Sequence, residues 1–146
     1  MTDHHPVTIL MIEDDLGHAR LIEKNIRRAG ISNTIHHFTD GGSALEFLYN
    51  HPDSPALNGP ALVLLDLNLP DMSGADILAK IKGDPALKRT PVVVLTTTDD
   101  KLEIQRCYDL GCNVYLTKPV NYENFADAIR QLGLFLSVIQ VPGVEA

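Results

Sequence analysis

The chain has 146 residues, 45% of them hydrophobic, which suits one domain around one core. Its formal net charge of −7 leaves no basic stripe to neutralise phosphates, so nucleic acid is not expected as a direct partner. No apolar run approaches the roughly 20 residues that span a bilayer, and Met1 to Pro6 lacks the basic and apolar regions of a secretion signal. A cytoplasmic location with no membrane partner is therefore expected.

Short apolar runs alternate with longer amphipathic ones. Val7 to Ile12 predicts a strand. Leu16 to Ala29 predicts a helix with Leu21, Ile22, Ile26 and Ala29 at helical spacing, stopped by Gly30. Thr34 to Phe38 is β-leaning, and Ser43 to Tyr49 predicts a short helix with Leu45, Leu48 and Tyr49 on one side. Asn50 to Pro60 is rich in turn formers and predicts a loop. Ala61 to Asp66 predicts the central strand, and Gly74 to Lys82 a helix broken by Asp84-Pro85.

Val-rich Pro91 to Thr96 predicts a strand buried on both faces. Lys101 to Leu110 predicts a helix ended by Gly111, and Asn113 to Thr117 a last strand. Asn121 can cap a final helix from Tyr122 to about Ile139. Five β/α alternations predict an α/β fold with a parallel sheet. The expected organisation is an arm over 1–6, one domain over 7–139 and a tail over 140–146.

Cys107 and Cys112 are too few for a disulfide framework and are expected as small buried hydrophobes that do not face each other. The pairs His4-His5 and His36-His37 lack the spacing of a structural zinc site and are expected as polar surface.

Chemistry concentrates at the predicted strand ends. The run Ala61 to Leu65 stops on Asp66, and a turn with Pro70, Asp71, Ser73 and Gly74 follows. Glu13 and Asp14 follow the first strand, Thr96 ends the fourth and Lys118 follows the fifth. In a parallel sheet these ends share one rim, where open α/β folds bind ligands. Taken singly, Asp66 could be a turn residue, Thr96 a strand residue and Lys118 a surface lysine. Asp15 can cap the following helix, but two further acids before it have no capping use. Clustered carboxylates call for a hard cation, and Mg²⁺ prefers oxygen ligands. With an ammonium and a hydroxyl beside it, an Asp nucleophile suits phosphoryl transfer to a carboxylate.

These residues resemble the response regulator receiver domain of two-component signalling, through Ile12-Glu13-Asp14-Asp15, Leu65-Asp66-Leu67-Asn68-Leu69-Pro70, Leu95-Thr96-Thr97 and Lys118-Pro119. The resemblance spans about Val7 to Ile139. It implies a doubly wound, flavodoxin-like (βα)5 fold with a five-stranded parallel sheet in the order 2-1-3-4-5. It implies Asp66 as phosphoacceptor, with Thr96 and Lys118 binding the phosphoryl oxygens. Asp14 and Asp66 would be Mg²⁺ ligands, Glu13 would act through water, and Asn68 would supply its backbone carbonyl. A cis bond between Lys118 and Pro119 is implied as well. Tyr115, three residues before Lys118, is implied as a switch aromatic working with Thr96.

A narrower resemblance, through the Asn50 to Pro60 loop, Leu95-Thr96-Thr97-Thr98 and the Phe125 to Pro142 stretch, is to single-domain regulators paired with bacterial phytochromes. It implies a sensor histidine kinase, a bacteriophytochrome, as partner. The sequence departs from the receiver pattern at Thr97, where a small residue is usual, and in having Glu-Asp for the acidic pair. Thr97 and Thr98 add bulk beside the acceptor, and Asn68 offers no base to activate water, so slow loss of the phosphoryl group is expected. The rival reading, a Mg²⁺-dependent phosphohydrolase, needs a second acid where Asn68 stands. The chain is therefore expected to be a signalling domain with poor turnover on small phosphate esters; a phosphorylation-independent binding module is the third reading.

The final helix carries more apolar residues than one buried face needs. Phe125, Ile129, Leu132, Leu136 and Ile139 form one stripe, leaving Leu134, Phe135, Val138 and Val141 unaccounted for. A homodimer through these four is expected.

Overall fold

The computed structural model describes residues 7–52, 54, 60–119, 121–128 and 130. Strands β1 (Thr8–Ile12), β2 (Ile35–Phe38), β3 (Ala61–Leu65), β4 (Val92–Thr96) and β5 (Val114–Thr117) alternate with helices α1 (Leu16–Arg28), α2 (Gly41–Asn50), α3 (Gly74–Gly83) and α4 (Lys101–Leu110). A fifth helix, α5, is described over 122–128. The strands form one parallel sheet in the order β2-β1-β3-β4-β5, the expected flavodoxin-like topology.

The two-residue period of the strands sorts their side chains into two cores. Leu10, Ile12, Val63, Leu65, Val92 and Val94 face one side and pack with Leu48 of α2, Ile77, Leu78 and Ile81 of α3 and Cys107 of α4. Ile9, Met11, Leu62, Leu64, Val93 and Leu95 face the other and pack with Ala19, Ile22 and Ile26 of α1 and Phe125 of α5. Both faces of β3 and β4 are thus covered, which is why their sequences read as unbroken apolar runs. Each large aliphatic side chain buried this way contributes roughly 1.5–3 kcal/mol.

Helix starts follow their caps. Asp15 caps α1 by accepting from the His18 N–H at 2.9 Å, and Asp100 caps α4 through the Leu102 N–H at 2.9 Å. Asn121 accepts from the Asn124 N–H at 2.8 Å and opens α5 as expected. Gly111 ends α4 in the left-handed region at φ 108°, where a side chain would be strained. Helix α2 begins two residues before the expected Ser43 because Asp71, from the loop after β3, accepts from the Gly41 and Gly42 N–H groups at 2.8 Å each. Those two long-range bonds satisfy helix donors that the local sequence leaves open.

Two expected core positions are corrected. Leu21 is 51% exposed and Tyr49 is 46% exposed. The buried stripe of α1 runs instead through Ala19, Ile22, Asn25 and Ile26, which turns Leu21 to the helix flank. Cys107 and Cys112 are free and buried, as expected. Burial pushes the Cys112 thiol up to about 12, with the nearby Cys107 adding to the effect, so both behave as apolar filler. No described helix is long and apolar enough to cross a membrane.

Candidate functional site

The carboxyl ends of β1, β3, β4 and β5 bring the expected residues together. Strand β1 ends at Ile12 and delivers Glu13 and Asp14, and β3 ends at Leu65 and delivers Asp66. Side-chain oxygens of Glu13, Asp14 and Asp66 lie within 4.8 Å of one another. Glu13 and Asp66 are buried and Asp14 is exposed, so the cluster has two anchored acids and one facing solvent.

Lys118 reaches into this cluster from the end of β5. Its Nζ donates to Glu13 Oε1 at 2.5 Å and to Asp66 Oδ2 at 3.3 Å, and it contacts His18 Nδ1 at 3.2 Å. An ammonium has three protons, and these three acceptors use them all. The peptide bond from Lys118 to Pro119 is cis, as the resemblance implied. Glu13 Oε2 accepts from the Asp15 N–H at 3.1 Å, so both Glu13 oxygens are engaged. Burial raises the Glu13 pKa above the ordinary carboxylate value, and the bonds from Lys118 and Asp15 offset part of the rise.

Asp66 is held on its other oxygen. Its Oδ1 accepts from the Asn68 N–H at 3.1 Å, leaving Oδ2 toward Lys118. The Asn68 side chain donates to Thr96 Oγ1 at 3.4 Å, a long bond that loosely ties the hydroxyl to the site. Thr96 is fully buried at the end of β4, while Thr97 beside it is exposed. The Tyr115 hydroxyl donates to the Thr98 carbonyl at 2.7 Å, linking β5 to the loop before α4. Burial pushes the Tyr115 phenol up to about 12, so it donates throughout the neutral range.

Four residues outside the expected set support the site. Gly74 packs against the Asp66 backbone, and its N–H donates to the Leu67 carbonyl at 2.8 Å. Asp71 holds the start of α2, as described above. His18 contacts Lys118. His37 Nε2 lies 2.7 Å from the Glu13 carbonyl oxygen, which fixes Nε2 as the protonated nitrogen and braces the loop carrying the acids. His36 is half-buried with its ring 4.9 Å from that of Phe47. His37 is exposed, as expected of polar surface, yet it is bonded to the loop carrying the acids; His36 departs from that expectation by its partial burial. Gly74 and Asp71 were visible only as turn residues, and nothing local distinguished either histidine.

The donor set fits a hard divalent cation: three clustered carboxylates, one of them solvent-facing, with no sulfur or imidazole among them. Residues 9–130 match the response regulator receiver domain family. The chain belongs to that family.

A response regulator receiver domain from Rhodospirillum rubrum, solved by crystallography, is 68% identical, with a TM-score of 0.77 over 96% of this chain and 100% of that one. Response regulator Rcp1 of Synechocystis is 36% identical over 138 residues, 94% of each chain. The Mn²⁺-bound form of Rcp1 has a TM-score of 0.73 over 90% of this receiver and 94% of its own chain. The phosphorylated cyanobacterial phytochrome response regulator RcpA is 32% identical, with a TM-score of 0.74 over 99% of this receiver and 100% of its own chain. The receiver is thus a two-component signalling protein similar to phytochrome response regulators.

Proposed function

We propose that this receiver accepts a phosphoryl group on Asp66 from a phosphohistidine of a sensor kinase. The observation that carries this is the Lys118 ammonium 3.3 Å from Asp66 Oδ2, beside the Glu13, Asp14 and Asp66 cluster. Asp66 Oδ2 attacks phosphorus, the P–N bond to the donor imidazole breaks, and the electron pair returns to that nitrogen. Lys118 then exchanges its Asp66 contact for a phosphoryl oxygen, and Thr96 turns its hydroxyl from Asn68 to another.

Asp14, Asp66 and the Asn68 backbone carbonyl would hold Mg²⁺ directly, with Glu13 acting through water. The engagement of both Glu13 oxygens supports that indirect role. The bound cation supplies charge neutralisation for the carboxylates and phosphoryl oxygens. Rcp1 with Mn²⁺ and phosphorylated RcpA support both readings by analogy.

The signal is a population shift. Movement of Thr96 toward the phosphoryl group alters the packing above Tyr115, whose hydroxyl anchors the loop before α4. The kinase is a light-sensing phytochrome, by similarity to the phytochrome regulators, and the encounter takes place in the cytoplasm. The receiver pairs as a homodimer through Leu134, Phe135, Val138 and Val141, which lie outside the described residues.

The test is intact-mass analysis after incubation with acetyl phosphate and Mg²⁺. Wild type gains one phosphoryl group and Asp66→Asn gains none. Equal modification of the two proteins refutes Asp66 as the acceptor.

A further inference from the structure

A cavity of about 140 Å³ lies between α1 and the start of α5, on the sheet face opposite α2, α3 and α4. Its inner walls are the buried side chains of Ile22, Leu95 and Phe125. Lys118 and His18 line the side toward Asp66, and Leu21 stands half-exposed among the lining residues. An engineered cavity of roughly 150 Å³ lined by Leu, Ile and Phe takes up benzene. The space here therefore matches one six-membered ring.

One lining residue is out of keeping with an apolar void. Asn25 sits on the sheet-facing stripe of α1, only 9% exposed, and lines the cavity. Its side-chain amide has no hydrogen-bond partner among the described residues. A buried amide without a partner costs stability, and an apolar residue of the same size would avoid that cost. The amide offers donors and an acceptor in one plane. A planar ligand carrying its own amide satisfies both at once.

We infer that this cavity is a binding site for a small planar molecule, a six-membered ring bearing a carboxamide or lactam, paired with the Asn25 amide. The ring fills the space between Ile22, Leu95 and Phe125. Its outer edge meets Lys118 and His18, so the bound molecule touches the side chain that faces Asp66. Binding at this cavity does not require phosphorylation of Asp66.

The test is a titration of the ¹⁵N-labelled full chain with benzamide, and separately with toluene, followed by amide chemical shifts. Benzamide is expected to shift the backbone amides of Ile22 and Asn25 and the Asn25 side-chain NH₂, saturating in the low millimolar range. Toluene, with the ring but no amide, binds more weakly to wild type. Asn25→Leu is expected to bind benzamide about tenfold more weakly while keeping toluene, which also reports that the variant is folded. Absence of saturable shifts at these amides overturns the site. So does toluene binding wild type as tightly as benzamide, or Asn25→Leu keeping full benzamide affinity.

Discussion

Gly74 meets the backbone of Asp66 so closely that a Cβ at position 74 would lie 2.2 Å from the Asp66 carbonyl oxygen and 2.7 Å from the Leu67 Cα. Both are backbone atoms, so no side chain can swing aside. The glycine is required by this close approach to the backbone of Asp66. Gly74→Ala is expected to destabilise the fold by roughly 1–3 kcal/mol, the usual cost of overpacking. It should also reduce phosphorylation of Asp66 by acetyl phosphate in protein that remains folded. Unchanged melting temperature and unchanged phosphorylation would show that the loop accommodates the methyl group.

Asp14 is the solvent-facing member of the acidic cluster. Loss of an outer-sphere partner at a metal site costs about 10–100-fold in affinity, and Asp14 is proposed as a direct ligand. Asp14→Ala should therefore weaken Mg²⁺ binding by at least about tenfold, measured by calorimetry, and abolish most of the Mg²⁺-dependent rise in melting temperature. In metal-free buffer the same variant is expected to melt higher than wild type, because one repelling carboxylate is gone. Full Mg²⁺ affinity in the variant would remove Asp14 from the site.

Asp71 gives a pH signature. Hydrogen bonds from the Gly41 and Gly42 N–H groups hold its carboxyl below the ordinary value of 3.8. A depressed folded-state pKa means stability present above the unfolded value and lost as pH falls through the folded one. Asp71→Asn should therefore be less stable than wild type at pH 7, with the gap narrowing as pH drops below 3.8. Chemical denaturation at the two pH values reads the gap. A gap that is constant with pH would assign the effect to lost shape rather than lost charge.

Homodimerisation is tested by light scattering at micromolar concentration. Wild type is expected at the mass of two chains, and Phe135→Glu with Val138→Glu at the mass of one. A double variant that stays dimeric places the interface elsewhere.

The β/α alternation and the place of Asp66 at the end of β3 were legible in the sequence because both are written locally. Apolar runs such as Ala61 to Leu65 need cover on both faces, which calls for a parallel sheet. Parallel strands place all their carboxyl ends on one rim, so Glu13, Asp14, Asp66, Thr96 and Lys118 could be gathered from four separated positions. Helix caps at Asp15 and Asn121 were readable for the same reason: they bond within three residues.

The tertiary structure decided what depends on distance across the chain. That Asp71 opens α2 from thirty residues away, and that His37 grips the Glu13 carbonyl, cannot be inferred from local pattern. Asp71 does so with two hydrogen bonds and His37 with one, and all three depend on where distant segments meet. The stripe of α1 was misjudged at Leu21 because helical spacing fixes which residues share a face, not how that face is rotated against the sheet. Rotation follows from packing on Met11, Leu64 and Leu95, and the same packing turns Asn25 inward. The cavity exists only at that level, as does its Asn25 amide without a partner among the described residues, because a void is defined by elements that meet from separate parts of the chain.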